Sequence, residues 1–66
     1  MTIQLNGEPF DVRGPVTISA LLDLLDIDAR RVAVEHNLRV VKRTAYPLTT
    51  VQERDQVEIV NLVGGG

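Results

Sequence analysis

The sequence predicts an α+β fold in which one short helix packs across a mixed sheet of four to five strands. Three observations carry this. Polar and apolar residues alternate at both ends of the chain, over Thr2–Leu5 and over 56–62. Between them lies a single stretch with apolar residues at helical spacing. The whole chain has 66 residues, enough for one domain with a modest core.

The elements follow in order. Thr2-Ile3-Gln4-Leu5 has the period of a half-buried strand. Asn6-Gly7 is a hairpin signal, because a type I′ turn needs positive φ at both central residues. Glu8-Pro9-Phe10-Asp11-Val12 reads as the return strand, and Pro9 restricts it to a sheet edge or a strand start. Arg13-Gly14-Pro15 is a loop. Thr17 can cap a helix whose stripe is Ile18, Leu21, Leu22 and Leu25, spaced i, i+3, i+4 and i+7. Ala20 at the third helical position leaves no capping box. Carboxylates oppose the dipole at a helix C-terminus, so the helix is expected to stop near Asp26.

Val32-Ala33-Val34-Glu35 is nearly continuous in apolar character, as expected of a central strand. Asn37-Leu38 marks a turn and Arg39-Val40-Val41 a short strand. Residues 42–50, with Tyr46-Pro47, read as irregular. Glu53-Arg54-Asp55 is a polar turn before the last strand. With Phe10 and Tyr46 the only aromatics, the core is expected to be aliphatic. The order strand, strand, helix, strand, short strand, strand is that of a β-grasp fold. Its first and last strands lie side by side and parallel at the sheet centre, joined through a right-handed crossover. The expected division is a domain over residues 1–62 and a flexible glycine tail over 63–66.

Composition excludes several classes of function. There is no cysteine, so no disulfide, thiolate metal site or thiol nucleophile. A formal net charge of −2 argues against a nucleic-acid partner. No apolar run approaches the ~20 residues of a membrane span, and no signal peptide is evident, so the expected compartment is the cytoplasm. Asp23, Asp26 and Asp28 lack the glycine and terminal glutamate of a calcium loop and read as a solvated acidic edge; no metal site is expected. His36 is expected to be an exposed strand-end residue. Arg30-Arg31 and Lys42-Arg43 form either a basic docking patch or a solvated face.

The distinctive feature is the ending Val63-Gly64-Gly65-Gly66, directly after an apolar strand. Glycines lack Cβ and adopt almost any φ, so they can thread a narrow channel. Fully extended, residues 63–66 reach at most ~13 Å at ~3.3 Å per residue. Such a tail can present a bare carboxylate inside another enzyme's pocket; a frayed terminus has the same composition. If Val57 and Ile59 face the helix, alternation places Val60 and Leu62 on the opposite face beside the tail. With Val63 they are either a grip for a partner or simple edge packing.

The chain resembles the sulfur carrier proteins of thiamin (thiazole) biosynthesis, a ubiquitin-like family. The resemblance rests on several pieces in order. They are the opening strand with Asn6-Gly7, Thr17-Ile18 with Leu21-Leu22 and Leu25, and Val32-Ala33-Val34-Glu35 with Asn37. Val41, Arg43, Asp55 before Val57-Glu58-Ile59-Val60, and the Gly-Gly end complete it. It departs at Leu38, where the family usually has glycine, at Arg54, where it has glycine before aspartate, and at Lys42, often proline. Leucine resists positive φ, so the turn at Asn37-Leu38 is expected to be of another type than I′.

The resemblance implies a protein that catalyses nothing itself. It implies that an E1-like adenylating enzyme uses ATP to activate Gly66, with Gly64 and Gly65 as the leading tail. A cysteine desulfurase then supplies persulfide sulfur, and thiazole synthase consumes the resulting thiocarboxylate. The resemblance further implies that the carrier binds no cofactor and that ATP belongs to the partner. Related readings are a β-grasp carrier for molybdopterin, cysteine or tRNA thiolation, and a ubiquitin-like protein modifier.

Overall fold

The computed structural model describes residues 1–62. The main sheet has five strands: β1 (Thr2–Leu5), β2 (Glu8–Asp11), β4 (Val32–His36), β5 (Arg39–Val41) and β7 (Gln56–Asn61). Their spatial order is β2-β1-β7-β4-β5. The first and last strands are therefore neighbours, and they pair in parallel, with Gln4 opposite Gln56 and Leu5 opposite Val57. β2 is an edge strand, which is where Pro9 can be accommodated without breaking an interior ladder. Asn6 (φ 51°) and Gly7 (φ 83°) make the tight β1–β2 turn. β4 lies inside the sheet, between β7 and β5.

The helix α1 spans Ile18–Leu24, and the Thr17 hydroxyl accepts the Ala20 N–H at 3.1 Å. It ends by a more specific device than dipole opposition. Asp26 sits at φ 60°, its N–H bonded to the Asp23 carbonyl (3.0 Å), and the Ile27 N–H reaches the Leu22 carbonyl (2.9 Å). This pair of bonds caps the open carbonyls of the last turn, and aspartate tolerates the left-handed conformation better than most residues. Ile18, Leu21 and Leu22 are buried, while Leu25 is half-buried at the margin of the core.

Sequence expectations are corrected here in two segments. Residues 42–50 are not irregular: Arg43–Leu48 forms a 3₁₀ helix, and Thr50–Val51 forms β6, paired with β3 (Val16–Thr17) in a second, two-stranded sheet. Two-residue strands are too short to show a period. Tyr46 anchors the segment, only 3% exposed, so the core is not purely aliphatic. The second correction concerns Asn37-Leu38. Both residues have positive φ, 52° and 70°. His36 and Arg39 are paired directly, so only two residues are left to reverse the chain. Such a connection needs primed-turn geometry to match the strand twist. The Asn37 N–H donates to the Gln56 carbonyl (2.8 Å), and the Asn37 Oδ1 accepts the Gln56 N–H (2.9 Å). These bonds offset the strain at Leu38, which is exposed.

The core lies between α1 and the inner face of the sheet: Ile3, Val12, Ile18, Leu21, Leu22, Val32, Val34, Tyr46, Val51 and Val57.

Candidate functional site

The candidate site is the end of β7 and the face it shares with β4. β7 is held on both flanks. On one side it pairs with β4 in antiparallel register from Val57 opposite His36 to Asn61 opposite Val32. The ladder continues one step further, with the Leu62 N–H on the Arg31 carbonyl at 2.9 Å. On the other side β1 ends at Leu5, and the Asn6 carboxamide takes over. Its Oδ1 accepts the Ile59 N–H at 2.7 Å and its Nδ2 approaches the Ile59 carbonyl at 3.3 Å. One side chain thus stands in for a strand residue. Sequence reasoning gave Asn6 only a turn role, because its partner is 53 residues away.

The face of each residue follows from this register. Val57 is buried and Ile59 half-buried against the core. Val60 and Leu62 are 57% and 48% exposed on the side away from the helix, where alternation puts them. Val60 lies opposite Ala33 of β4. On the same face, Val40 of β5 lies opposite Glu35, and Glu35 lies opposite Glu58. Val40 is exposed as well. Sequence alternation alone could have put Val40 and the two glutamates on this face, but not opposite one another. The candidate residues Val63, Gly64, Gly65 and Gly66 lie outside the described residues.

His36 corrects an expectation. It is at a strand end, but its side chain is only 18% exposed and its Nε2 is 2.7 Å from Asp55 Oδ2. The β4–β7 register brings Asp55, just before β7, beside the end of β4. Burial pushes the Asp55 carboxyl up, but hydrogen bonds from His36, the Gln52 N–H and Asn37 outweigh it and hold it below the ordinary carboxylate value. That carboxylate clamps the turn 52–55, in which Arg54 also takes a positive φ of 70°.

The acidic and basic side chains are partly used within the chain. Asp28 caps the 3₁₀ turn Ala29–Arg31 and makes a two-point contact with Arg30 at 3.1 and 2.9 Å. The Arg30 hydrogen bonds lower its carboxyl to about 2. Asp23, Asp26 and Asp28 border a shallow depression, but among the described residues no three potential ligands gather as a metal site would need. Arg43 reaches the Arg30 carbonyl at 3.4 Å, so the two basic pairs are neighbours. Among the described residues no helix is long and apolar enough to cross a membrane.

One helix laid across a mixed sheet, with the terminal strands parallel at its middle and the last strand leading to a glycine end, defines a ubiquitin-like β-grasp protein. The chain superposes on the crystal structure of the thiamine biosynthesis protein ThiS from Geobacter metallireducens with a TM-score of 0.89 and 36% identity, covering all of both chains. It is 34% identical to the sulfur carrier protein ThiS of Bacillus subtilis, over 97% of this chain and 98% of that protein. It is 44% identical to a thiazole synthase of Magnetococcus marinus, matching along its full length but spanning only 20% of that longer protein. The ThiS family profile matches residues 3–66, and the chain belongs to the ThiS family.

Proposed function

We propose that the protein carries sulfur as a thiocarboxylate on Gly66 for thiazole formation in thiamin biosynthesis. Its membership of the ThiS family is the observation that carries the reading. A carboxylate is a poor electrophile at neutral pH. An E1-like adenylating enzyme joins it to AMP, releasing pyrophosphate from ATP. The terminal sulfur of a persulfide, formed by a cysteine desulfurase, attacks the carbonyl carbon and AMP leaves. A thiol then cleaves the S–S bond, supplying two electrons, and the thiocarboxylate is released for thiazole synthase. The chain's own part is presentation. A body pinned as far as Leu62 supports a tail, Gly64 to Gly66, that no Cβ obstructs. Val60, Leu62 and Val63 are the proposed grip for the adenylating enzyme.

Thiazole synthase is the favoured recipient, because thiazole synthases from two bacteria match this whole chain within a longer polypeptide. A carrier sharing a chain with its acceptor enzyme works at a high effective concentration. The test removes Gly65 and Gly66. ATP–pyrophosphate exchange with the adenylating enzyme from the same genome is expected to vanish, while thermal stability stays within about 0.5 kcal/mol, as for changes remote from packing. Exchange that persists in the truncated protein refutes the reading. Intact mass spectrometry of protein from its native cell then reads the oxygen-to-sulfur replacement directly.

A further inference from the structure

The Asn6 side chain does more than its turn requires. β1 ends at Leu5, whose parallel partner is Val57. A longer β1 would bring its own backbone to Ile59; instead the chain reverses at Asn6 (φ 51°) and Gly7 (φ 83°). The Asn6 N–H closes the backbone pairing on the Val57 carbonyl at 2.9 Å. The carboxamide then takes both polar groups of Ile59, the N–H on Oδ1 at 2.7 Å and the carbonyl on Nδ2 at 3.3 Å. A carboxamide carries an acceptor and a donor side by side, as a peptide group does, and the two Ile59 groups fix which end faces which. Asparagine also tolerates left-handed φ better than most residues. The turn explains only that second property, and glycine would serve it as well.

Among the described residues the carboxamide is the last hydrogen-bonding support of β7 on the β1 flank. On the β4 flank support runs to the Leu62 N–H on the Arg31 carbonyl. Past Ile59, three residues lead to the end of the described chain and four more to Gly66. We infer that Asn6 is a positioning residue for adenylation: its carboxamide, acting through Ile59, holds the last strand in the direction from which the tail enters the partner's pocket. The inference rests on the sulfur-carrier reading. A strand paired along one edge twists more freely than one held on both. Without the clamp, that freedom has to be removed when the partner binds, so the cost appears in KM. Once the tail is seated the partner holds it, so kcat is unaffected.

The experiment compares wild type with Asn6→Gly and Thr17→Ala. Asn6→Gly keeps the left-handed turn and removes the clamp. Thr17→Ala removes the hydrogen bond that caps α1, outside the five-stranded sheet, and controls for a modest loss of stability. Both are assayed well below their melting temperatures, where each is folded. Amide exchange is followed by NMR. ATP–pyrophosphate exchange is measured against carrier concentration with the adenylating enzyme of the same genome. In Asn6→Gly the Ile59 amide is expected to exchange about tenfold faster than in wild type or in Thr17→Ala. Its KM as carrier is expected to rise about fivefold with kcat unchanged, while Thr17→Ala keeps both wild-type values. An unchanged KM in Asn6→Gly overturns the inference, as does an equal rise in Thr17→Ala. A fall in kcat at constant KM, or an Ile59 amide that exchanges at the wild-type rate, also overturns it. If the wild-type carrier drives no pyrophosphate exchange, the carrier reading and this inference fall together; normal exchange with unchanged KM in Asn6→Gly removes this inference alone.

Discussion

Single residues hold this small fold in conformations that their side chains resist. Leu38 and Arg54 both sit at φ 70°. For a residue with a Cβ the left-handed region costs roughly 1–2 kcal/mol, and glycine's greater freedom in the unfolded chain returns about 0.5–1 of that. Leu38→Gly and Arg54→Gly are therefore each expected to stabilise the protein by about 0.5–1 kcal/mol in a urea denaturation curve. A loss of stability in Leu38→Gly would show that this exposed side chain makes contacts that matter more than its backbone strain. Asp55 gives a pH dependence whose sign follows from its lowered pKa. An unfolded aspartate titrates near ~3.9. With the folded value below that, the contribution is complete above the unfolded value and is lost as pH falls through the folded one. Asp55→Asn is expected to be less stable than wild type at neutral pH, with the gap closing as the pH falls below the unfolded aspartate value and through the lower folded one. A gap that stays constant with pH would place the effect in packing rather than in charge.

Among the elements, α1 carries the core. A seven-residue helix is far too short to persist alone, so its stability comes from Ile18, Leu21 and Leu22 packed against the sheet. Leu22→Ala is expected to cost about 2–5 kcal/mol. A domain of this size has only about 3–10 kcal/mol in total. The variant is therefore expected to melt far below wild type or to be unfolded at room temperature by circular dichroism. An unchanged melting temperature would mean that the cavity collapses without cost. β7 is the element on which the proposed function turns. β4 secures it by a full ladder, and on its other side β1 gives out early, leaving the Asn6 carboxamide to complete the pairing.

At the scale of the whole molecule, the inner face of the sheet packs the core, and the exposed outer face is the proposed docking face. Val60→Asp with Leu62→Asp changes only exposed positions on that outer side. The double variant is expected to keep its circular dichroism spectrum and most of its stability. Its affinity for the adenylating enzyme is expected to fall by about tenfold or more, as for apolar residues at the centre of an interface. Equal affinity in the folded double variant would move the docking face elsewhere.

The sequence by itself determined the strand and helix periods, the Asn6-Gly7 turn, the Thr17 cap and the outward face of Val60 and Leu62. Each of these follows from local chemistry or from a period of two or 3.6 residues. It also carried the resemblance to the sulfur carriers. Only the tertiary structure decided the rest, because those features depend on pairs far apart in the chain. The His36–Asp55 contact joins residues 19 apart, and Asn6 reaches Ile59 across 53. Leu38 takes a conformation its own propensity disfavours because paired strands leave two residues to turn in. The short strand Thr50–Val51 exists because β3 lies beside it, and the opposition of Glu35 and Glu58 is a matter of register alone. Propensity is worth tenths of a kcal/mol per residue, whereas a closed ladder and a buried core fix many residues at once, so where the two disagree the ladder and the core prevail.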